Sequence, residues 1–311
     1  TESGKTRHCS PCAAVAPMGD DELFAVRNAL YLGNYQQAIN EASAVNSFND
    51  STRQTRDFFM YRAFIEQGQY RMVLDDVGHD APAPVMAVKL LATYLDGGRE
   101  VKDMAMLQLK EWLSDPQSQS NWQVMLIAGM VFLHEQDYKE ALKYLHQNTQ
   151  LDIMALVVHI YLSMNRVDLA RKQVTAMQEQ DDDATLSKLC GAWVAMSEGD
   201  KYQDALYEFQ ELGEKYTMSL MLLNAMALCN LHMGRFDEAE RLLQEALSKS
   251  ANDATTLANL VVCLQHLHKP QEVVARYTSQ LKAVAPTHAW VQKHTEMESS
   301  FTRCAAQFSR A

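Results

Sequence analysis

Between Leu222 and Lys249 the chain reads LLNAMALCNLHMGRFDEAERLLQEALSK. Leu223, Met226 and Ala227 recur three and four places apart, the spacing that gathers side chains on one face of an α-helix. After Gly234 the pattern resumes, with Phe236, Ala239, Leu243 and Ala246 apolar or small and the intervening positions largely polar. Gly enters a left-handed backbone conformation at little cost and so ends the first helix. The aromatic residue packs at the start of the second, and Ala is small enough for the two helices to approach closely. The stretch predicts a helical hairpin.

The same arrangement, an aromatic or apolar residue followed three places later by Ala or Val, occurs at Tyr35/Ala38, Tyr70/Val73, Tyr138/Ala141, Val167/Ala170, Tyr202/Ala205, Phe236/Ala239 and Pro270/Val273. The last three are each 34 residues apart, the period of the tetratricopeptide repeat, whose unit is a pair of antiparallel helices. In this register the units are 19–52, 54–82, 83–115, 122–150, 151–184, 186–219, 220–253 and 254–287. The third is the weakest, because Gly98 stands where the aromatic belongs. Two units are short, which predicts clipped second helices or tight turns such as DAPAP at 80–84. Residues 288–311 predict a closing helix whose Trp290, Val291, Met297, Phe301 and Phe308 shield the last apolar face, as a stack of repeats requires. The expected fold is all-α: a tetratricopeptide-like, right-handed α-solenoid of about eight helical hairpins with a C-terminal capping helix. It forms one domain over 19–311, behind a flexible leader at 1–18.

Composition narrows the chemistry. Apolar residues make up 47% of the 311, with only twelve Gly and seven Pro and no Pro between Pro116 and Pro270. The turn residues of a sheet protein are therefore scarce. The formal net charge is −11 with no Lys/Arg-rich run, which argues against a phosphate-tracking surface. The longest apolar run, Val124–Leu133, is about half of what a bilayer span requires. Of the six cysteines, Cys190, Cys229, Cys263 and Cys304 lie far apart in helical patterns, as buried reduced thiols of a cytosolic protein would. The Cys9-x-x-Cys12 pair beside His8 has no second pair to complete four zinc ligands, and falls in the leader. The acidic run Asp181–Asp183 lacks the spacing of a calcium loop and is expected to sit at a helix N-terminus, with one carboxylate as its cap. No nucleophile elbow, phosphate loop or paired-His zinc helix occurs, HEQDY at His134 lacking the second His. No catalytic residue, metal or cofactor is expected.

Function then falls to a surface. In the repeat register the first helix of each unit turns five positions toward a concave groove. In four successive units they are Gln123, Leu126, Met130, Leu133 and His134; Asp152, Ala155, His159, Leu162 and Ser163; Ser187, Cys190, Val194, Ser197 and Glu198; Met221, Asn224, Leu228, Leu231 and His232. Leu126, Met130, Leu133, His159, Leu162, Val194, Met221, Asn224, Leu228 and Leu231 are the expected partner contacts. None of these positions is Lys or Arg, so the groove suits an apolar helix or an extended hairpin of a partner rather than a carboxylate tail. The alternative is a solenoid wound tightly enough to bury these side chains on itself.

Several stretches resemble the epsilon subunits of coatomer, the coat of COPI vesicles. They are DELFAVRNALYLGNYQQAINEA at 21–42, DDDATLSKLCGAWVAM at 181–196, the hairpin at 222–249, TLANLVVCLQHLHKP at 256–270 and RYTSQLK at 276–282. The resemblance runs from about Asp21 to Phe308. It implies a non-enzymatic cytosolic protein that wraps an extended part of the C-terminal domain of the alpha coatomer subunit, alongside other coatomer subunits. It further implies peripheral association with Golgi membranes through the coat, and a role in retrograde Golgi-to-ER and intra-Golgi transport. The second reading of the groove is a tetratricopeptide adaptor or co-chaperone outside the coat.

Overall fold

The computed structural model describes residues 22–45, 49–78 and 80–308. Among them every regular element is a helix. The helices pair as α1 (Phe24–Tyr31) with α2 (Tyr35–Ala44), α3 (Asp50–Glu66) with α4 (Tyr70–Asp76), and α5 (Ala83–Asp96) with α6 (Arg99–Trp112). After the one-turn α7 (Pro116–Ser120) come α8 (Trp122–His134) with α9 (Tyr138–Leu145), and α10 (Leu151–Ser163) with α11 (Val167–Gln180). The remainder are α12 (Thr185–Glu198) with α13 (Tyr202–Lys215), α14 (Leu220–His232) with α15 (Phe236–Lys249), α16 (Ala254–His266) with α17 (Gln271–Val284), and the closing α18 (Ala289–Phe308). These are the eight hairpins and the last helix that the repeat register predicts.

The hinges follow the predicted chemistry closely. Tyr35, Tyr70, Tyr138, Val167, Tyr202 and Phe236 are each the first residue of a second helix. The Ala three places on is fully buried at Ala38, Ala141, Ala170, Ala205 and Ala239. A left-handed residue reverses the chain ahead of each of these helices: Gly33, Gly68, Gly199 and Gly234 where Gly is present, Gln136 (φ 59°) and Asn165 (φ 57°) where it is not. His268 (φ 53°) serves the same purpose before α17. There Pro270 stands as the N-cap outside the helix, so the buried fourth residue is Val274 and the expected Val273 lies one place off, half-buried. The third hairpin turns through Gly97 and Gly98 in extended conformations, without a left-handed residue. The two short units do have clipped second helices, of seven residues in α4 and eight in α9.

Each hairpin packs on the next, and the buried side chains form a continuous interior from Leu23 through Ile160 and further clusters along α10–α18. The closing helix caps less than expected. Val291 is buried and Trp290 half-buried against α16 and α17, but Met297, Phe301 and Phe308 are 72%, 75% and 82% exposed. The physical reason is direction: only the first turn of α18 is seated on α16 and α17, and among the described residues no helix lies along the rest of it, which is tied back by the 2.9 Å pair of Lys282 with Glu298.

Candidate functional site

The solenoid closes on itself. Tyr31 at the end of α1 donates a 2.7 Å hydrogen bond to Asp152 Oδ1, 121 positions away at the start of α10. Thr185, the first residue of α12, donates to Asn28 Oδ1 at 2.7 Å across 157 positions. Leu32, 1% exposed, packs with Leu189, Ala192, Leu222 and Ala225 of α12 and α14. The backbone at Gly33 approaches α14 so closely that a Cβ placed there would stand 3.3 Å from Met221 Cβ. The first hairpin thus lies across the opening turns of α10, α12 and α14. A hydrogen bond to a charged group contributes about 1.5–3 kcal/mol and a fully buried Leu about 1.5–3 kcal/mol, so these few contacts are enough to hold the closure.

This closure sorts the predicted groove residues. Those at the helix starts are covered: Asp152 by Tyr31, Ser187 at 0% exposure, and Met221 half-buried beneath Gly33. Leu126 (3% exposed) and Val194 (4%) are not groove-facing at all. Leu126 belongs to the interior between α5, α8, α9 and α10, and Val194 packs with Met154, Val158, Ala170 and Val174 in the joint of α10, α11 and α12. Tight winding presses each unit onto its predecessor, and these two positions fall inside that contact. Met130, Leu133, Leu162, Leu228 and Leu231 remain half-buried and His159 exposed. Met221, Asn224 and Leu228 line a cavity of about 320 Å³ together with Gly33, Tyr35, Trp193 and Asn259. Asn224 is held there by its amide, which donates to Thr256 Oγ1 at 2.8 Å and to the Leu220 carbonyl at 3.0 Å.

Deeper in the ring an aromatic floor joins separate units. Phe59 meets Tyr31 at 6.4 Å and Phe58 meets Trp122 edge-on at 5.9 Å, so units one, two and four converge. Burial and the neighbouring Asp152 push the Tyr31 hydroxyl well above its usual range, so it remains a protonated donor. The groove register, carried back into the first two units, puts Arg27 and Arg62 in the row of Met130, His159, Val194 and Leu228, of which Val194 alone is fully buried among the four later units. These cations were missed because the candidate list began at α8; the same spacing finds them. The His159 imidazole is lowered by desolvation and then by His134, so the groove wall favours its neutral form.

Other expectations resolve locally. Burial pushes the thiol of Cys190 up to about 12 and those of Cys229 and Cys263 to about 11, whereas Cys304 is exposed on α18, contrary to expectation. Asp181–Asp183 are exposed and none caps α12, whose N-cap position is Ala184, a residue without a side-chain acceptor. The leader at 1–18, with Cys9 and Cys12, lies outside the described residues. Among the described residues no three potential metal ligands converge, and no helix is long and apolar enough to cross a membrane.

A solved tetratricopeptide repeat protein from Parabacteroides merdae superposes with a TM-score of 0.52 at 11% identity, covering 88% of this chain and 95% of its own, which supports the fold. Coatomer subunit epsilon-1 of Oryza sativa subsp. japonica is 46% identical, the match covering 91% of this chain and 96% of the relative. Coatomer subunit epsilon-1 of Arabidopsis thaliana is 44% identical, over 94% of this chain and 98% of the relative. The family model described as coatomer epsilon subunit matches residues 19–309, and with that span the chain belongs to the coatomer epsilon subunit family.

Proposed function

We propose that this chain is a non-enzymatic structural subunit of the COPI coat that holds the C-terminal domain of the alpha coatomer subunit in its concave groove. In this role it acts with the other coatomer subunits on the cytoplasmic face of Golgi membranes, reaching them through the coat. It serves retrograde Golgi-to-ER and intra-Golgi vesicle transport. The observation that carries the reading is the partly open groove in a chain of this family: Met130, Leu133, Leu162, Leu228 and Leu231 are half-buried, and the cavity at Leu228 is walled mainly by apolar and amide side chains. Half-buried apolar side chains around a concavity are what an extended apolar segment needs in order to bind.

The test is a titration of the alpha-subunit domain against the wild-type chain and against Leu228→Arg and Leu231→Arg. Both variants lose binding while circular dichroism shows intact helix, because an unpaired guanidinium would have to be desolvated against the partner. Unchanged affinity in both would remove the groove from the account. Recovery of chaperones without coatomer subunits in a pull-down from cytosol would instead assign the groove to an adaptor.

A further inference from the structure

Among the described residues no carboxylate lies within ion-pair distance of Arg62. This residue lies one helical turn beyond Phe58 on the same face of α3, its guanidinium carbon 5.6 Å from the centroid of that ring. The side chain is half-buried, and both Nε and Nη1 are shielded from solvent without a hydrogen-bond acceptor. A side-on carboxylate bond uses Nε with Nη2, and an end-on bond uses Nη1 with Nη2. Nη2 is therefore the nitrogen that an incoming group can reach. A buried donor without a partner is costly, more so when it is charged, and such groups in folded proteins are few.

Two phenols and two carboxylates, Asp152 and Glu66, share the surroundings of Arg62, and neither carboxylate forms an ion pair with it. Its positive charge acts on Tyr31 and Tyr35, and Arg27 acts on Tyr31 as well. Asp152 is engaged by the Tyr31 hydroxyl, and Glu66, one turn further along α3, is exposed and forms no ion pair with Arg62. Phe58 is itself fully buried against Trp122, so the ring beneath the guanidinium is fixed. Arg62 thus stands just above the aromatic floor, in the same register row as Met130, His159 and Leu228 of the open groove wall.

We propose that Arg62 determines the specificity of the groove by pairing with an aspartate or glutamate side chain that the bound partner segment carries into the ring. The pairing rests on the partner reading above and adds to it: the segment is apolar where it meets Leu228 and Leu231, and acidic where it reaches α3. A carboxylate fits better than a backbone carbonyl because it accepts from Nη2 and also neutralises the charge.

The experiment measures affinity of the alpha-subunit domain for the wild-type chain, Arg62→Met, Arg62→Lys and Leu228→Arg across a salt series. Arg62→Met keeps the packing on Phe58 and removes the charge. It weakens binding by about ten- to hundredfold and flattens the salt dependence, with an unchanged or higher melting temperature, while Arg62→Lys recovers part of the loss. In a second arm Arg62→Glu is titrated with partner variants whose Asp and Glu residues are changed one at a time to Arg, and one of them restores binding. If Arg62→Met binds as wild type while Leu228→Arg does not bind, the groove reading stands and the carboxylate pairing is overturned. Failure of every reversed partner to rescue Arg62→Glu overturns the pairing as well. If neither Arg62→Met nor Leu228→Arg alters affinity, the groove reading itself has failed.

Discussion

At the scale of single residues, the hinges isolate what a left-handed backbone costs. Gly234 and Gln136 occupy the same place in two hairpins, with φ of 74° and 59°. A Cβ added at Gly234 would meet nothing within 4 Å, so a side chain there changes the backbone preference and little else. An L-residue in this region costs about 1 kcal/mol relative to glycine. Gln136→Gly is therefore expected to stabilise the fold by about 1 kcal/mol, less the extra freedom glycine gives the unfolded chain. Gly234→Ala is expected to destabilise it by about the same amount. Shifts of the urea midpoint measure both, and a Gln136→Gly midpoint below wild type would contradict the account. Asn165 and His268 are the gentler exceptions among the non-glycine hinges, since Asn and His tolerate the left-handed region better than Gln.

At the scale of helices, the hairpin depends on one small side chain. Ala239 is fully buried in the cluster of Ala227, Leu243, Leu260 and Val261, between α14, α15 and α16. Ala239→Phe forces those helices apart, and the expected loss lies at or above the upper end of the roughly 1–3 kcal/mol of overpacking. A melting temperature equal to wild type would mean that the repeat register is wrong. That register was legible because local rules set it: a reversal, a ring and a small residue, each decided within a few positions. Where a nonlocal neighbour decides, the pattern misleads. Val273 gave way to Val274 because Pro270 stands outside the helix, a one-residue shift that the aromatic-to-Ala spacing does not encode. Met297, Phe301 and Phe308 fall on a helical stripe, yet whether a stripe is covered depends on the direction in which α18 leaves the stack, and only its first turn is seated on α16 and α17.

At the scale of the whole molecule, the decisive fact is the closure of the first hairpin onto α10, α12 and α14, and this was the part of the site least readable in sequence. Tyr31, Asp152, Asn28 and Thr185 carry no signal that they meet, because their separation is set by how each unit rotates on the last. Closure also sets Gly33 over Met221, so that Met221 and Leu228, two turns along the same helix, line one cavity beside the first hairpin. For the binding proposed above, closure sets a condition: a segment too large for the closed groove enters only if the first hairpin releases. The variant Tyr31→Phe with Thr185→Val removes both hydrogen bonds that close the ring and leaves the apolar packing of Leu32 in place. It also leaves Asn28, whose amide nitrogen already lacks a partner, with its carbonyl oxygen buried and unpaired. Each deletion is expected to cost about 1–3 kcal/mol. Hydrogen exchange should accelerate in α1 and α2 and at the first turns of α10 and α12, while α16 and α17, far from the seam, retain wild-type protection. Solution scattering should show a larger radius of gyration. Association with the alpha-subunit domain should quicken if release of the hairpin admits the partner. Uniform acceleration of exchange along the chain would show that the seam is not a separate opening unit, and unchanged exchange in α1 and α2 would show that the two hydrogen bonds do not hold it.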